Sequence, residues 1–240
     1  MLDGRSARGV KMNTMFDVYN NFSDLYDELV NHEDYQKKLY GYLSDNINWN
    51  KKSVVELGVG TGRVTKLYIR KIKSVSVFDN SMNMLNKAKI NLNKWNSKIQ
   101  YEEMDNKDIN KLEGKYDILI EGWSFGHLIV SEKENKEYWI NHLIENSIRL
   151  AREKVIFIET LGTNVGLPNA PGDTLNYFYE FLKKKGFEEK ILETDYKFSS
   201  YDEAGRIMGS FFGDSMKADI IENKKDLVKE YTGVWIYSIE

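Results

Sequence analysis

No cysteine occurs in the 240 residues. That absence excludes disulfides, cysteine-ligated zinc, iron–sulfur clusters and a thiolate nucleophile together, and it suits a reducing cytoplasm. Proline is nearly as scarce. Both prolines, Pro168 and Pro171, fall in one glycine-containing loop, so none breaks a helical or strand pattern elsewhere. No run approaches the ~20 apolar residues that a membrane-spanning helix needs. Arg5, Arg8 and Lys11 near the N-terminus have no apolar stretch behind them, which excludes a secretory signal; residues 1–12 read as a flexible leader outside the fold. A strong net charge is missing too. Lys+Arg 34 against Asp+Glu 37 leaves −3, without the basic excess of a dedicated nucleic-acid binder. Neither H-x-x-H nor D-x-D pairs stand near the motifs described below, so no metal is expected.

What remains is an ordinary globular composition, 41% hydrophobic and 30% charged, of a length that suits one domain over residues 13–240. The aromatic share of 13% suits a well-filled core or an aromatic-lined pocket. From Met15 to Ile47 the apolar residues recur at helical steps: Phe16, Tyr19, Phe22, Leu25, Tyr26, Leu29 and Val30, then a second helix from about Glu33 with Tyr35, Leu39, Tyr42 and Leu43 inward. These make cap helices over residues 13–50. Between 51 and 160 short β-branched runs alternate with helical ones. Strands are predicted over Ser53–Leu57, Val75–Phe78, Ile99–Met104, Tyr116–Ile120 and Val155–Glu159, with helices over Met82–Asn93 and Lys133–Ala151. Strands separated by helices imply a parallel sheet of right-handed βαβ units. The part from 161 to 240 departs from that rhythm. It reads as a helix Leu175–Lys185 stopped by Gly186, a strand Phe187–Phe198, a mixed insertion over about 199–230 and a last strand Thr232–Ile239.

Three features fall at the carboxyl ends of successive parallel strands. The first is the turn Glu56-Leu57-Gly58-Val59-Gly60-Thr61-Gly62. Glycines there let the backbone turn sharply and approach a ligand closely, and the helix that follows presents unpaired N–H groups. The spacing is G-x-G-x-G, not the G-x-G-x-x-G of dinucleotide sites, and Glu56 suits a cationic ligand better than a phosphate. The second is Asp79, which can accept from two ribose hydroxyls because Ser81 is free to cap the next helix. The third is Asp105-Asn106, placed to meet an adenine edge. Together they mark one crevice at the sheet's topological switch point.

Val54-Val55-Glu56-Leu57-Gly58-Val59-Gly60-Thr61-Gly62-Arg63 resembles the glycine-rich first motif of class I S-adenosylmethionine-dependent methyltransferases. Phe78-Asp79-Asn80-Ser81-Met82-Asn83-Met84-Leu85 is similar to their second motif, and Tyr116-Asp117-Ile118-Leu119-Ile120-Glu121-Gly122 to the fourth-strand motif. The resemblance runs from about Ser53 to Glu159. It implies an α/β, Rossmann-like, seven-stranded, mostly parallel sheet with an antiparallel last strand, N-terminal cap helices and a late helical insertion. It implies that Glu56, Gly58, Gly60, Thr61, Gly62, Asp79, Asn80, Met84, Asp105, Asn106, Glu121 and Gly122 surround S-adenosylmethionine, with Tyr26 or Tyr19 of the cap closing over its methionine end. No N-P-P-Y stands after the fourth strand; Glu121-Gly122-Trp123-Ser124-Phe125-Gly126-His127 takes its place. Trp123, Phe125 and Tyr19 are candidates for framing the acceptor, and His127, opening a long helix, for a general base. The acceptor pocket is expected beside the methyl group, roofed by residues 201–219. The expected reaction is methyl transfer from S-adenosylmethionine to a small molecule. A nucleic-acid methyltransferase and a non-catalytic S-adenosylmethionine-binding protein stand as the other readings.

Overall fold

The apolar runs form the sheet in a computed structural model that describes residues 23–239. Its strands are β1 (Ser53–Leu57), β2 (Ser74–Asp79), β3 (Ile99–Glu103), β4 (Tyr116–Gly122), β5 (Ala151–Thr163), β6 (Glu188–Glu193) and β9 (Glu230–Ser238), in the order β3-β2-β1-β4-β5-β9-β6. Strands β1 to β5 pair in parallel, whereas β9 runs antiparallel to both β5 and β6. The expected antiparallel last strand is therefore present. Short strands β7 (Tyr196–Lys197) and β8 (Leu227–Val228) pair with each other alone. The helices are α1 (Ser23–Val30), α2 (Lys38–Asn46), α3 (Thr65–Tyr68), α4 (Met82–Asn91), α5 (Phe125–Ser131), α6 (Lys136–Leu150), α7 (Asp173–Lys184), α8 (Tyr201–Phe212) and α9 (Asp214–Glu222). The leader expected over 1–12, and Tyr19, lie outside the described residues.

Because side chains alternate across a strand, the sheet has two apolar faces. Val55, Leu57, Leu119, Val155 and Phe157 join one core with Ile129, Ile140, Leu143 and Phe178 of α5, α6 and α7. Val54, Ile118, Ile120, Ile156 and Ile158 join the other with Leu39 and Leu43 of α2, Tyr68 of α3 and Leu85 of α4. A third, smaller core holds Leu29 of α1 against Ala204, Ile207 and Met208 of α8, Ile220 of α9 and Val228 of β8. The late insertion thus packs on the first cap helix rather than hanging free.

Several boundaries differ from expectation for local reasons. The second cap helix starts at Lys38, not near Glu33. Lys37 adopts a left-handed φ of 58°, and the Asp34 carboxylate accepts from the Lys38 and Leu39 amides at 2.7 and 3.0 Å. The helix expected to open at Lys133 begins at Lys136, after a separate short helix, α5, that carries His127. The strand expected over Phe187–Phe198 breaks at Thr194 and Asp195. Thr194 donates its amide to Glu230 O at 2.8 Å, and the chain then leaves the main sheet for the β7–β8 ribbon.

Glu56 also departs from expectation. It points into the second core, 1% exposed, and accepts from Thr65 Oγ1 at 2.7 Å and from the Tyr68 hydroxyl. It fastens α3 to β1. Burial pushes its carboxyl up to about 7, so the folded chain keeps a proton there that the unfolded chain releases at an ordinary carboxylate pKa. A raised folded pKa means that Glu56 contributes full stability below about pH 4.5 and loses it as pH rises through about 7. In wild type the unfolding free energy should carry a loss of roughly 2–3 kcal/mol from this group between pH 5 and 8. Glu56→Gln should remove it, and urea unfolding at both pH values checks this. An unchanged pH slope in the variant would show that Glu56 ionises normally.

Candidate active site

A cavity of about 330 Å³ opens beyond the carboxyl ends of β1, β2, β3 and β4, within the range of small-ligand pockets. Gly58 and Gly60 form its floor, Asp79, Asn80 and Met84 one side, and Met104, Asp105 and Asn106 another. Gly122, Trp123, Ser124 and His127 form the opposite wall, and Tyr26 of α1 closes over the glycine turn. The structure therefore gathers ten of the sequence-derived candidates at one place: Gly58, Gly60, Asp79, Asn80, Met84, Asp105, Asn106, Gly122, Tyr26 and Trp123, with His127 beside them.

The glycine turn has a geometric reason for its composition. Gly58 has φ +69°, a region L side chains rarely adopt, and a Cβ there would collide with Ser124 Cβ and Oγ. Gly60 has φ +53°. The Asp79 carboxylate braces this turn: Oδ2 accepts from Gly60 N at 2.8 Å and Oδ1 from Ser81 N at 2.9 Å. Ser81 caps α4 by accepting from Met84 N at 3.4 Å, as its position suggests. Each Asp79 oxygen thus uses one lone pair on the backbone and keeps another. Burial raises the Asp79 pKa, and the two amide hydrogen bonds oppose that rise. Asp105 caps the short turn after β3 by accepting from Lys107 N at 2.9 Å.

Other candidates lie outside the cavity, and strand parity or helix packing explains each. Glu56 faces the second core. Thr61 is fully buried. Gly62 is held by packing, since a Cβ there would stand 2.7 Å from Leu92 Cδ1. Glu121 and Phe125 are both fully buried. Phe125 sits edge-on to Phe157, ring centroids 5.2 Å apart, in the first core, so it does not frame an acceptor. Nor does the 201–219 segment roof the cavity. It touches the site only at second hand, through the Phe211 ring 6.0 Å from that of Tyr26 and through Arg206, which pairs with Glu28 of α1 at 2.6 Å. On its other side α1 is tied to α4 by Lys87 on Asp24 at 2.6 Å and by Asn91, which donates to Asp27 Oδ1 at 3.0 Å and to Thr61 O at 2.9 Å.

Two features were missed in the sequence. Trp123 has φ +53°, rare for a bulky residue, with its amide donating to Ile158 O at 2.7 Å. The Arg63 guanidinium lies 3.5 Å from the centre of its ring and pairs with Glu33. That arginine follows the glycine motif and was visible, but nothing in the sequence brings Glu33 to it. Glu230, at the start of β9, faces the same group, and burial together with Glu33 pushes it up to about 8. His127 moves the opposite way: burial lowers its pKa, so the ring is neutral near pH 7 and able to take a proton. Burial also raises the Tyr26 pKa.

Comparison with known proteins agrees with this geometry. A family model described as a methyltransferase domain matches residues 54–141. The fold is similar to that of magnesium protoporphyrin IX methyltransferase from Synechocystis PCC 6803 with bound S-adenosylmethionine, at 15% identity and a TM-score of 0.54, covering 96% of this chain and 99% of that one. It is also similar to a phosphoethanolamine N-methyltransferase from Haemonchus contortus, at 13% identity, a TM-score of 0.55 and coverage of 95% and 60%. A Pyrococcus horikoshii protein described as an RNA methyltransferase aligns at 14% identity, a TM-score of 0.52 and coverage of 84% and 82%. No curated protein matches at the sequence level. At such identities the structural likeness concerns the fold. The domain match bears on the site itself, because among the described residues every one that lines the cavity except Tyr26 falls within 54–141. The stretch that matches a methyltransferase domain is the stretch that builds the cavity.

Proposed function

We propose that the chain transfers the methyl group of S-adenosylmethionine to a small-molecule acceptor seated against Trp123, Ser124 and His127. The observation that carries the proposal is that one cavity holds both halves of such a site. The glycine turn, Asp79 and Asp105 stand on one side, and a half-buried histidine, its pKa lowered by burial, beside a tryptophan on the other.

The donor set fits the cofactor. Asp79 has a lone pair left on each oxygen for the two ribose hydroxyls, and Asp105 with Asn106 stands where an adenine edge would lie. Met84, 1% exposed as a residue yet lining the cavity, offers the ring an apolar face. The cofactor supplies a methyl carbon that is already electrophilic, so the protein's own work is positioning, exclusion of water and acceptance of a proton. His127 would take the proton that the acceptor gives up when it gains the methyl group and S-adenosylhomocysteine leaves. Trp123 and Tyr26 wall the site with low-polarity surface, which favours a reaction that disperses positive charge. Tyr26 is held in place from both sides through α1, and this leaves room for a small acceptor rather than a folded polynucleotide. The net charge of −3 points the same way. Among the described residues no helix is long and apolar enough to cross a membrane.

Two outcomes are expected. S-adenosylhomocysteine should bind at micromolar scale by calorimetry and NAD should not. Asp79→Asn should weaken that binding by roughly 1.5–3 kcal/mol, the scale of a hydrogen bond to a charged group. The asparagine is preferred to alanine because Asp79 also braces Gly60 and Ser81. Equal binding in variant and wild type would remove Asp79 from the ribose site. In a transfer screen of small metabolites alongside RNA, label from the cofactor should enter a small molecule. His127→Ala and Trp123→Ala should lose at least tenfold in turnover, on the general-base scale, with S-adenosylhomocysteine affinity preserved. Label entering RNA alone, or full activity in both variants, would overturn this acceptor assignment.

A further inference from the structure

The wall that carries Trp123, Ser124 and His127 is held in an unusual way. Helix α5 lacks a local side-chain cap: Ser124 precedes it, yet its hydroxyl bonds elsewhere, to Glu121 Oε2 at 3.1 Å and to Leu57 O at 3.3 Å. The first amides of a helix have no partner within it. Here they go to two glutamates from neighbouring strands. Glu121 Oε2 accepts from Ser124 N and Phe125 N, both at 3.2 Å, and Glu159 Oε1 accepts from Gly126 N at 2.6 Å. Residue 127 is the next in line. In the β4–β5 register Glu121 stands opposite Phe157. Glu159, two residues on, projects from the same face. Both residues are buried, with Glu121 at 0% and Glu159 at 3% exposure.

We propose that Glu121 and Glu159 are a pair of positioning residues that clamp the amino end of α5 and thereby set His127 and the acceptor wall against the glycine turn. Three further observations support the clamp. Gly126 admits no other residue without disturbing it, since a Cβ there would stand 2.9 Å from Glu159 Oε2. Ser124, held by Glu121, occupies the place that a Cβ on Gly58 would need, so the clamp registers the acceptor wall on the cofactor floor. Burial raises both carboxyls, and the neighbouring Glu121 raises Glu159 further, well above the carboxylate range. Desolvating two acids is costly. A core position needing only volume would be filled by an apolar side chain, as at Leu119 and Phe157 on the same face.

The clamp's bearing on acceptor chemistry rests on the reading under Proposed function, but its geometry can be tested without an acceptor. The experiment follows the ring signals of His32, His127 and His142 by NMR in isotope-labelled protein saturated with S-adenosylhomocysteine at pH 7.5, with His127→Gln to assign them. Glu159→Ala should shift or broaden the His127 ring signal and leave those of His32 and His142 in place, while S-adenosylhomocysteine affinity stays within about threefold. Glu159→Gln keeps an oxygen for the Gly126 amide and should return the His127 signal to its wild-type position. Gly126→Ala should displace it as Glu159→Ala does, and carries the test should Glu159→Ala fail to fold. An unmoved His127 signal in a folded Glu159→Ala or Gly126→Ala protein overturns the clamp, as does a Glu159→Gln signal displaced as far as that of Glu159→Ala. Failure of the acceptor reading would appear separately, as full turnover in His127→Ala.

Discussion

Ser124 sits where a side chain on residue 58 would have to go, and the rest of the site is arranged around that contact. The turn after β1 and the loop after β4 come from strands that are neighbours in the sheet, so their tips meet whatever their sequences. They can meet closely only because Gly58 has no Cβ and tolerates a left-handed backbone. The same absence that exposes the floor to a cofactor lets the acceptor wall lean on it. On the proposed function, a floor and wall in direct contact would hold donor and acceptor in register, which is the main thing a protein can offer a reaction whose electrophile arrives activated.

The buried carboxylates serve that same register at different depths. Glu56 fastens the helix after the glycine turn to β1, Asp79 braces the turn itself, and Glu121 with Glu159 holds the wall. Each satisfies hydroxyls or backbone amides that the local chain leaves without partners, and each is pushed upward in pKa by burial. Arg63, paired with Glu33 and flat against Trp123, extends the pattern to the far side of the wall. Such groups stabilise a fold less than apolar ones of equal volume do. They fix direction, which apolar contacts alone cannot.

The strands show how far the sequence could be read. Val54-Val55-Glu56, Ile118-Leu119-Ile120-Glu121 and Ile156-Phe157-Ile158-Glu159 each place an acid at the end of an apolar run, and the strands themselves were legible from those runs. The acids were legible as anomalies too, but not their direction. A shift of one residue sends a side chain to the other face. Only the paired register puts Glu56 against α3 and the other two beneath α5. Asp79 and Asp105 both line the cavity, because strand ends in a parallel sheet converge on one crevice whatever the parity. Phe125 was misread for the opposite reason: adjacency to Trp123 in sequence says nothing about which side of a short helix it takes. Arg63 with Glu33, and α1 with α8, are meetings of distant segments, and no local pattern announces them.

That last pairing bears on how acceptor specificity could change without disturbing the cofactor floor. Among the described residues Tyr26 is the one that lines the cavity outside the matched domain, and the helix that carries it is held by contacts of two kinds. Towards the cofactor floor the ties are polar, through Lys87 and Asn91 of α4. Towards the insertion they are largely apolar, through Leu29 packed on Ala204, Ile207 and Met208, with Arg206 on Glu28 at the rim. Hydrogen bonds to α4 fix where α1 meets the floor, whereas an apolar contact can be repacked with little change in stability if volume is conserved. Substitutions in α8 can therefore tilt α1 and move Tyr26 across the cavity mouth while Asp79, Gly58 and Gly60 stay in place. On the proposed function, the insertion would bear on the acceptor through α1, although it lines no part of the cavity itself.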